Sequence, residues 1–255
     1  MLKKIAIGVV VLLLVIAGGV YFLFSNLDSI IKAAIEKYGT AATLAEVKLD
    51  SVKISITSGE GALTGLTVGN PKGFTTPQAL SLGLISVKLD TGSVTGSGPI
   101  TIREIVIERP QVTYEVTNTG DSNLQTIQKN TMAYSGASGG GGGSSSTSGS
   151  GGGGQERKLI ITDLYVRDGQ IGISSTLLKG KALSSPLPTI HLTNIGKDSG
   201  GASPAQVAQQ VLGSITASAS KVASADLSKE LGTLKDAVGS GAGGVTDQVK
   251  GLLGK

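Results

Sequence analysis

The sequence predicts a mainly β protein with some α structure. An N-terminal transmembrane helix is followed by an amphipathic helix, then by a curved antiparallel sheet forming a groove, then by C-terminal helices. Three observations predict this. Residues 5–24, IAIGVVVLLLVIAGGVYFLF, form an apolar run with no charged member. From about residue 44 the apolar period becomes two, in short runs separated by turn residues. After Ser203-Pro204 the period lengthens again into thin stripes of Val, Ile and Leu among Ala, Ser and Gly.

As a helix, residues 5–24 would span about 30 Å, the thickness of a bilayer's hydrocarbon layer. Its backbone would satisfy its own hydrogen bonds, as lipid demands. Lys3 and Lys4 precede the run, so the positive-inside rule places residues 1–4 in the cytoplasm and the bulk of the chain across the membrane. A cleaved signal peptide is the rival. Its apolar region would be about 7–15 residues. Here the run continues through Phe22, Leu23 and Phe24, past Ala17-Gly18-Gly19, which favours retention.

Residues 25–39 are read as the amphipathic helix. Leu27, Ile30, Ile31, Ala34, Ile35 and Tyr38 recur at steps of three and four, with Asp28, Lys32, Glu36 and Lys37 off the stripe. Asn26 is the expected N-cap and Gly39 the expected stop. The helix either packs on the following sheet or lies on a membrane surface. Residues 40–134 hold the first part of the sheet and end in a short helix over 121–134. Residues 135–155 are a Gly/Ser linker. Residues 156–200 complete the sheet, and 201–255 form the helical region. The pattern apolar-x-x-apolar-x-apolar recurs at Leu63/Leu66/Val68, Ile102/Ile105/Ile107 and Ile161/Leu164/Val166, with Leu49/Val52/Ile54 as a partial copy. A three-residue step reverses the strand face unless a residue bulges out, so bulges at one common level are expected to bend the sheet.

Composition excludes several functions. The chain has no cysteine, which removes disulfides, thiolate metal sites, a Cys nucleophile and a lipid-modified N-terminal Cys. Net charge is +4 without a basic stripe carrying interleaved aromatics, so nucleic acid is not an expected partner. The single histidine, His191, is expected on a strand, pointing opposite to Ile190 and Leu192. One His cannot complete a zinc set. Gly239-x-Gly241-x-Gly243 follows no strand, and Gly180-Lys181 is followed by Ala182 rather than Ser or Thr, so neither nucleotide loop is present. Asp50, Asp90, Asp163 and Asp168 are read as turn residues. No enzyme activity, cofactor or metal is expected.

A one-sided apolar sheet must cover that face. The helices available are rich in small residues. Two readings follow, an apolar groove suited to acyl chains or an ordinary closed core. Candidate groove residues are Val52, Ile54, Leu66, Val68, Ile105, Ile107, Leu164 and Val166.

Several segments resemble the AsmA family of bacterial envelope proteins. They are Lys3-Lys4 with the apolar span, Phe24-Ser25-Asn26-Leu27-Asp28 entering Ile31–Glu36, the turn Gly69-Asn70-Pro71-Lys72-Gly73-Phe74, Ile105-Val106-Ile107-Glu108, Ser122-Asn123-Leu124, and Leu187-Pro188-Thr189-Ile190-His191-Leu192-Thr193-Asn194-Ile195-Gly196. The turn is the most specific. The resemblance implies an inner-membrane anchor and a periplasmic β groove that binds phospholipid, with no catalytic residues. This chain is short. About eight strands at about 4.8 Å spacing give a groove of about 40 Å, so a homo-oligomer, an envelope protein partner or local action at the membrane is expected. The alternative is a non-catalytic anchored scaffold without ligand.

Overall fold

A computed structural model describes residues 26–55, 57–139, 157–175 and 183–238. The expected transmembrane segment, most of the Gly/Ser linker and the final helical segment (245–252) lie outside them. Among the described residues no helix is long and apolar enough to cross a membrane. The protein is a mixed α/β structure, with ten strands in one sheet and helices against it.

The strands join end to end into six lines. β1 (Val47–Lys48) and β2 (Ser51–Ser55) form the first, β3 (Glu60–Gly69) the second and β4 (Gln78–Leu89) the third. β5 (Ile100–Glu108) and β6 (Gln111–Val116) form the fourth, and β7 (Leu159–Arg167) and β8 (Gly169–Ser175) the fifth. β9 (Leu183–Leu187) and β10 (Ile190–Ile195) form the sixth. β5 and β6 both pair with β4, so the fourth line runs its full length.

The expectation of a purely antiparallel sheet is corrected. β5 runs parallel to β7, and β6 parallel to β8. Between them the chain leaves through α3 (Asn123–Gly139) and returns to start again at the same end of the sheet, the crossover that parallel pairing requires. α3 also takes in residues 135–139, which were expected to begin the linker. β9 is a further strand that alternation did not reveal, because Ser184, Ser185 and Pro186 interrupt its apolar pattern.

Of the expected bulges, register shifts occur between Val68 and Gly69 against β4 and between Lys88 and Leu89 against β5, while pairing breaks in step across the lines in two rows rather than one. One row crosses all six lines. It runs through Leu49-Asp50, Gly65 (φ +68), Gly83, Arg109-Pro110 (Arg109 φ +50), Asp168 (φ +58) and Pro188-Thr189. The second row lies towards the β2–β3 hairpin. It skips Arg103 and Thr162 in the pairing and includes Asn194 (φ 54). The Leu63-x-x-Leu66 step uses the first row, while the Ile102 and Ile161 copies use the second. Each extra residue restores the face that a three-residue step would reverse. As a result one face stays apolar along every line, through Leu63, Ile85, Ile107, Val166 and Ile190 in one register row and Val68, Leu80, Val112 and Ile171 in another.

Helices account for most of the cover. α1 (Leu27–Thr43) runs along the first line. Two details of its prediction are corrected. Asn26 makes no side-chain cap bond, and Gly39 does not stop the helix, which continues until Leu44 turns left-handed (φ 53). Gly39 serves close packing instead, since a Cβ there would sit 3.0 Å from Val47 Cγ1. α2 (Thr91–Thr95) is a single turn after β4. α3 places Leu124 and Ile127 in the core, both essentially without exposure. α4 (Pro204–Val238) is a single helix within the region expected to be helical.

Candidate functional site

The eight groove candidates all lie on the apolar face. Val52 pairs with Leu63 and Ile54 with Gly61, which places both on the same side as Ile85, Val87, Ile105, Ile107, Leu164 and Val166. Their burial divides them. Val52, Val68, Ile107, Leu164 and Val166 are buried, whereas Ile54, Leu66 and Ile105 are half-buried. The half-buried set continues through Leu63, Val87 and Leu89. Together these positions form a half-buried apolar strip, the trough, across β2 to β5 towards the β2–β3 hairpin, while Ile102, Ile161, Leu164 and Ile195 beside it are buried.

The other part of that face is closed. Leu80, Val112, Tyr114, Ile171, Ile173 and Leu187 join one core with Leu124 and Ile127 of α3 and Ile215, Ala219, Ala223 and Leu227 of α4. Of the two readings of the apolar face, a groove or a closed core, the closed core describes this part, and half-buried apolar surface is confined to the trough. Along β4 the trough runs from Leu82, opposite Leu66, to Leu89, which is about 23 Å at about 3.3 Å per residue.

The trough lies at the end of the sheet where α1 begins. Asp28, in the first turn of α1, accepts a hydrogen bond from Ile54 N at 3.1 Å, and Ile54 shares a row with Val87 and Ile105. Polar residues of α1, off its apolar stripe, are used on the edge strand. Glu36 accepts from Leu49 N at 2.9 Å, Thr40 accepts from Val47 N at 3.0 Å, and Lys32 donates to Asp50 O at 3.1 Å. These groups take the ladder positions a further strand would need. Pro186, Pro188 and the left-handed Asn194 blunt the opposite edge.

A buried polar cluster was not foreseen. Glu115, 6% exposed, accepts hydrogen bonds from the backbone N–H and hydroxyl groups of both Thr75 and Thr76, at 2.5 to 2.8 Å. Burial alone would raise its pKa, but the four bonds from Thr76 and Thr75 outweigh that and hold the carboxyl below its ordinary value of 4.5. Asn123, fully buried, donates to Asn70 Oδ1 and Thr113 O, both at 2.8 Å, and accepts from Glu115 N and Leu124 N. Asn70 in turn donates to Thr76. The Asn70-Pro71 turn and the Ser122-Asn123-Leu124 start of α3, two separate segments in the sequence, thus meet as one clasp.

His191 is on the outer face as expected. It stacks on Tyr165 with ring centroids 4.2 Å apart and shares a 2.8 Å hydrogen bond with Asp163. The reading of Asp163 as a turn residue is corrected: it sits within β7, where the register sets it opposite Thr193, two positions along β10 from His191. Asp90 does cap a turn, accepting from Gly92 N at 3.1 Å. Among the described residues no group of three or more His, Cys, Asp or Glu could hold a metal ion.

No family model, curated protein or solved structure matches the chain.

Proposed function

We propose that the chain is an inner-membrane-anchored periplasmic protein of the AsmA kind, whose trough holds a phospholipid acyl chain during envelope biogenesis or phospholipid transfer. One observation carries this. The half-exposed apolar positions gather at the end of the sheet where α1 starts, directly after the apolar run of residues 5–24. A membrane-embedded run would hold the trough close to the lipid surface. Burying a tail there gains about 0.8 kcal/mol per methylene, with no catalytic group required.

A second reading, an anchored scaffold with no ligand, is favoured by the burial of five of the eight groove candidates within the protein's own core. Native mass spectrometry of the detergent-purified chain separates the two. The proposal expects co-purified phospholipid that Ile105→Asp abolishes while circular dichroism stays unchanged. Lipid-free protein, or a variant that loses its fold, supports the scaffold.

A further inference from the structure

We propose that α4 is a displaceable lid over the closed part of the apolar face, so that the trough lengthens when the helix lifts. This rests on the lipid-binding reading above. At 35 residues α4 is about 52 Å long. It starts beside the trough, where Ala202 bridges to Leu159, and reaches Ser185 on β9 at Asp226. It therefore runs along the groove rather than across it.

Val207, Val211, Ile215, Ala219, Ala223 and Leu227 follow one another at four-residue steps, flanked by Leu212 and Val222. At the centre are two buried alanines, each contributing a single methyl group to the core. Beneath them the floor is continuous apolar surface, Val112, Tyr114, Ile171, Ile173 and Leu187. Each methylene of an acyl tail buries about as much apolar surface as one of those methyl groups. A tail of a dozen carbons can therefore replace the contacts that the middle of α4 gives up. Polar contacts mark the closed position, among them two to the sheet. Ser185 Oγ donates to Asp226 Oδ2, and Tyr114 Oη donates to Ser220 Oγ at 3.3 Å. Both groups on α4 can be hydrated once the helix lifts, so opening strands no buried charge.

The chain contains neither Cys nor Trp, which gives a clean test. Ser185→Cys with Asp226→Cys closes the lid on oxidation, and a bismaleimide spanning the two thiols serves where the disulfide does not form. Tyr114→Trp is the lid reporter, sensing lipid beneath α4, and Ile105→Trp is the trough reporter. Leu187→Trp replaces the lid reporter if Tyr114→Trp disturbs the fold. The probe is nitroxide-labelled phosphatidylcholine mixed with the full chain in detergent. The lid predicts quenching of the lid reporter in the reduced state that falls by about tenfold on cross-linking, with the trough reporter quenched in both states. A lid reporter quenched equally in both states, or in neither while the trough reporter is quenched, overturns the lid and leaves the trough standing. No quenching of the trough reporter in any state overturns the lipid reading, and the lid with it.

Discussion

Asn123→Ala removes the centre of the buried clasp, and its cost follows from the bonds it breaks. Asn123 has no exposure, so water does not replace the lost partners. Thr113 O and Asn70 Oδ1 lose a donor, and Glu115 N and Leu124 N lose an acceptor. A buried polar group left without a partner costs about 1–3 kcal/mol. If relaxation rehydrates one or two of the four, the loss is about 2–9 kcal/mol. Domains have only about 5–15 kcal/mol in total, so the variant should unfold near ambient temperature or lose most of its denaturant midpoint. Guanidinium unfolding in detergent, followed by far-UV circular dichroism, measures it. Asn123→Asp keeps the acceptor roles but would bury a carboxylate against Thr113 O and Asn70 Oδ1, so it should not recover the stability lost in Asn123→Ala. A loss below about 1 kcal/mol for Asn123→Ala would refute the clasp as a source of stability.

Three further outcomes follow from the geometry. Glu115 has a folded pKa held below the ordinary 4.5, so on acidification the unfolded chain takes up its proton first. The stability it contributes is present above pH 4.5 and is lost as pH falls through the folded pKa; Glu115→Gln should flatten that acid limb in unfolding curves taken from about pH 6 to about pH 3. Gly65→Ala should destabilise by about 1–2 kcal/mol for its left-handed backbone alone, and by more because the added Cβ would fall 2.0 Å from Asp50 Oδ2; an unchanged melting temperature would contradict the strained row. His191→Ala should cost about 1–2 kcal/mol, from its half-exposed pair with Asp163 and its stacking on Tyr165, and should leave lipid co-purification intact; loss of lipid would place function on the outer face.

Facing was legible in the sequence because the apolar residues themselves keep count across each bulge. Ile102, Ile105 and Ile107 share a face only if one residue is set aside, and the pairing skips Arg103. How the lines join was not legible. That β5 and β6 are one line, broken at Arg109-Pro110, depends on both pairing with β4, a tertiary fact with no local signal. The parallel pairing was hidden for the same reason, since the crossover passes through α3 and a linker whose composition sets no direction of return. Residues of the clasp were noticed as motifs, but Asn70 and Asn123 are 53 positions apart and nothing in either segment names the other. The trough was overestimated because alternation shows which residues face inward and not which of them a helix then covers. Val166 and Ile105 read alike in the sequence, yet one lies under the core and the other stays half-exposed.

Adjacent positions on β4 offer the most direct measurement of the central claim. Val87 faces the trough and Ser86 faces the opposite side of the same strand. A photoreactive phenylalanine analogue placed at each in turn, activated in membranes and read by intact mass, asks which face meets lipid. A phospholipid adduct at Val87 and none at Ser86 is the predicted result. Equal labelling at both positions, or no adduct at Val87, would contradict the trough as a lipid site.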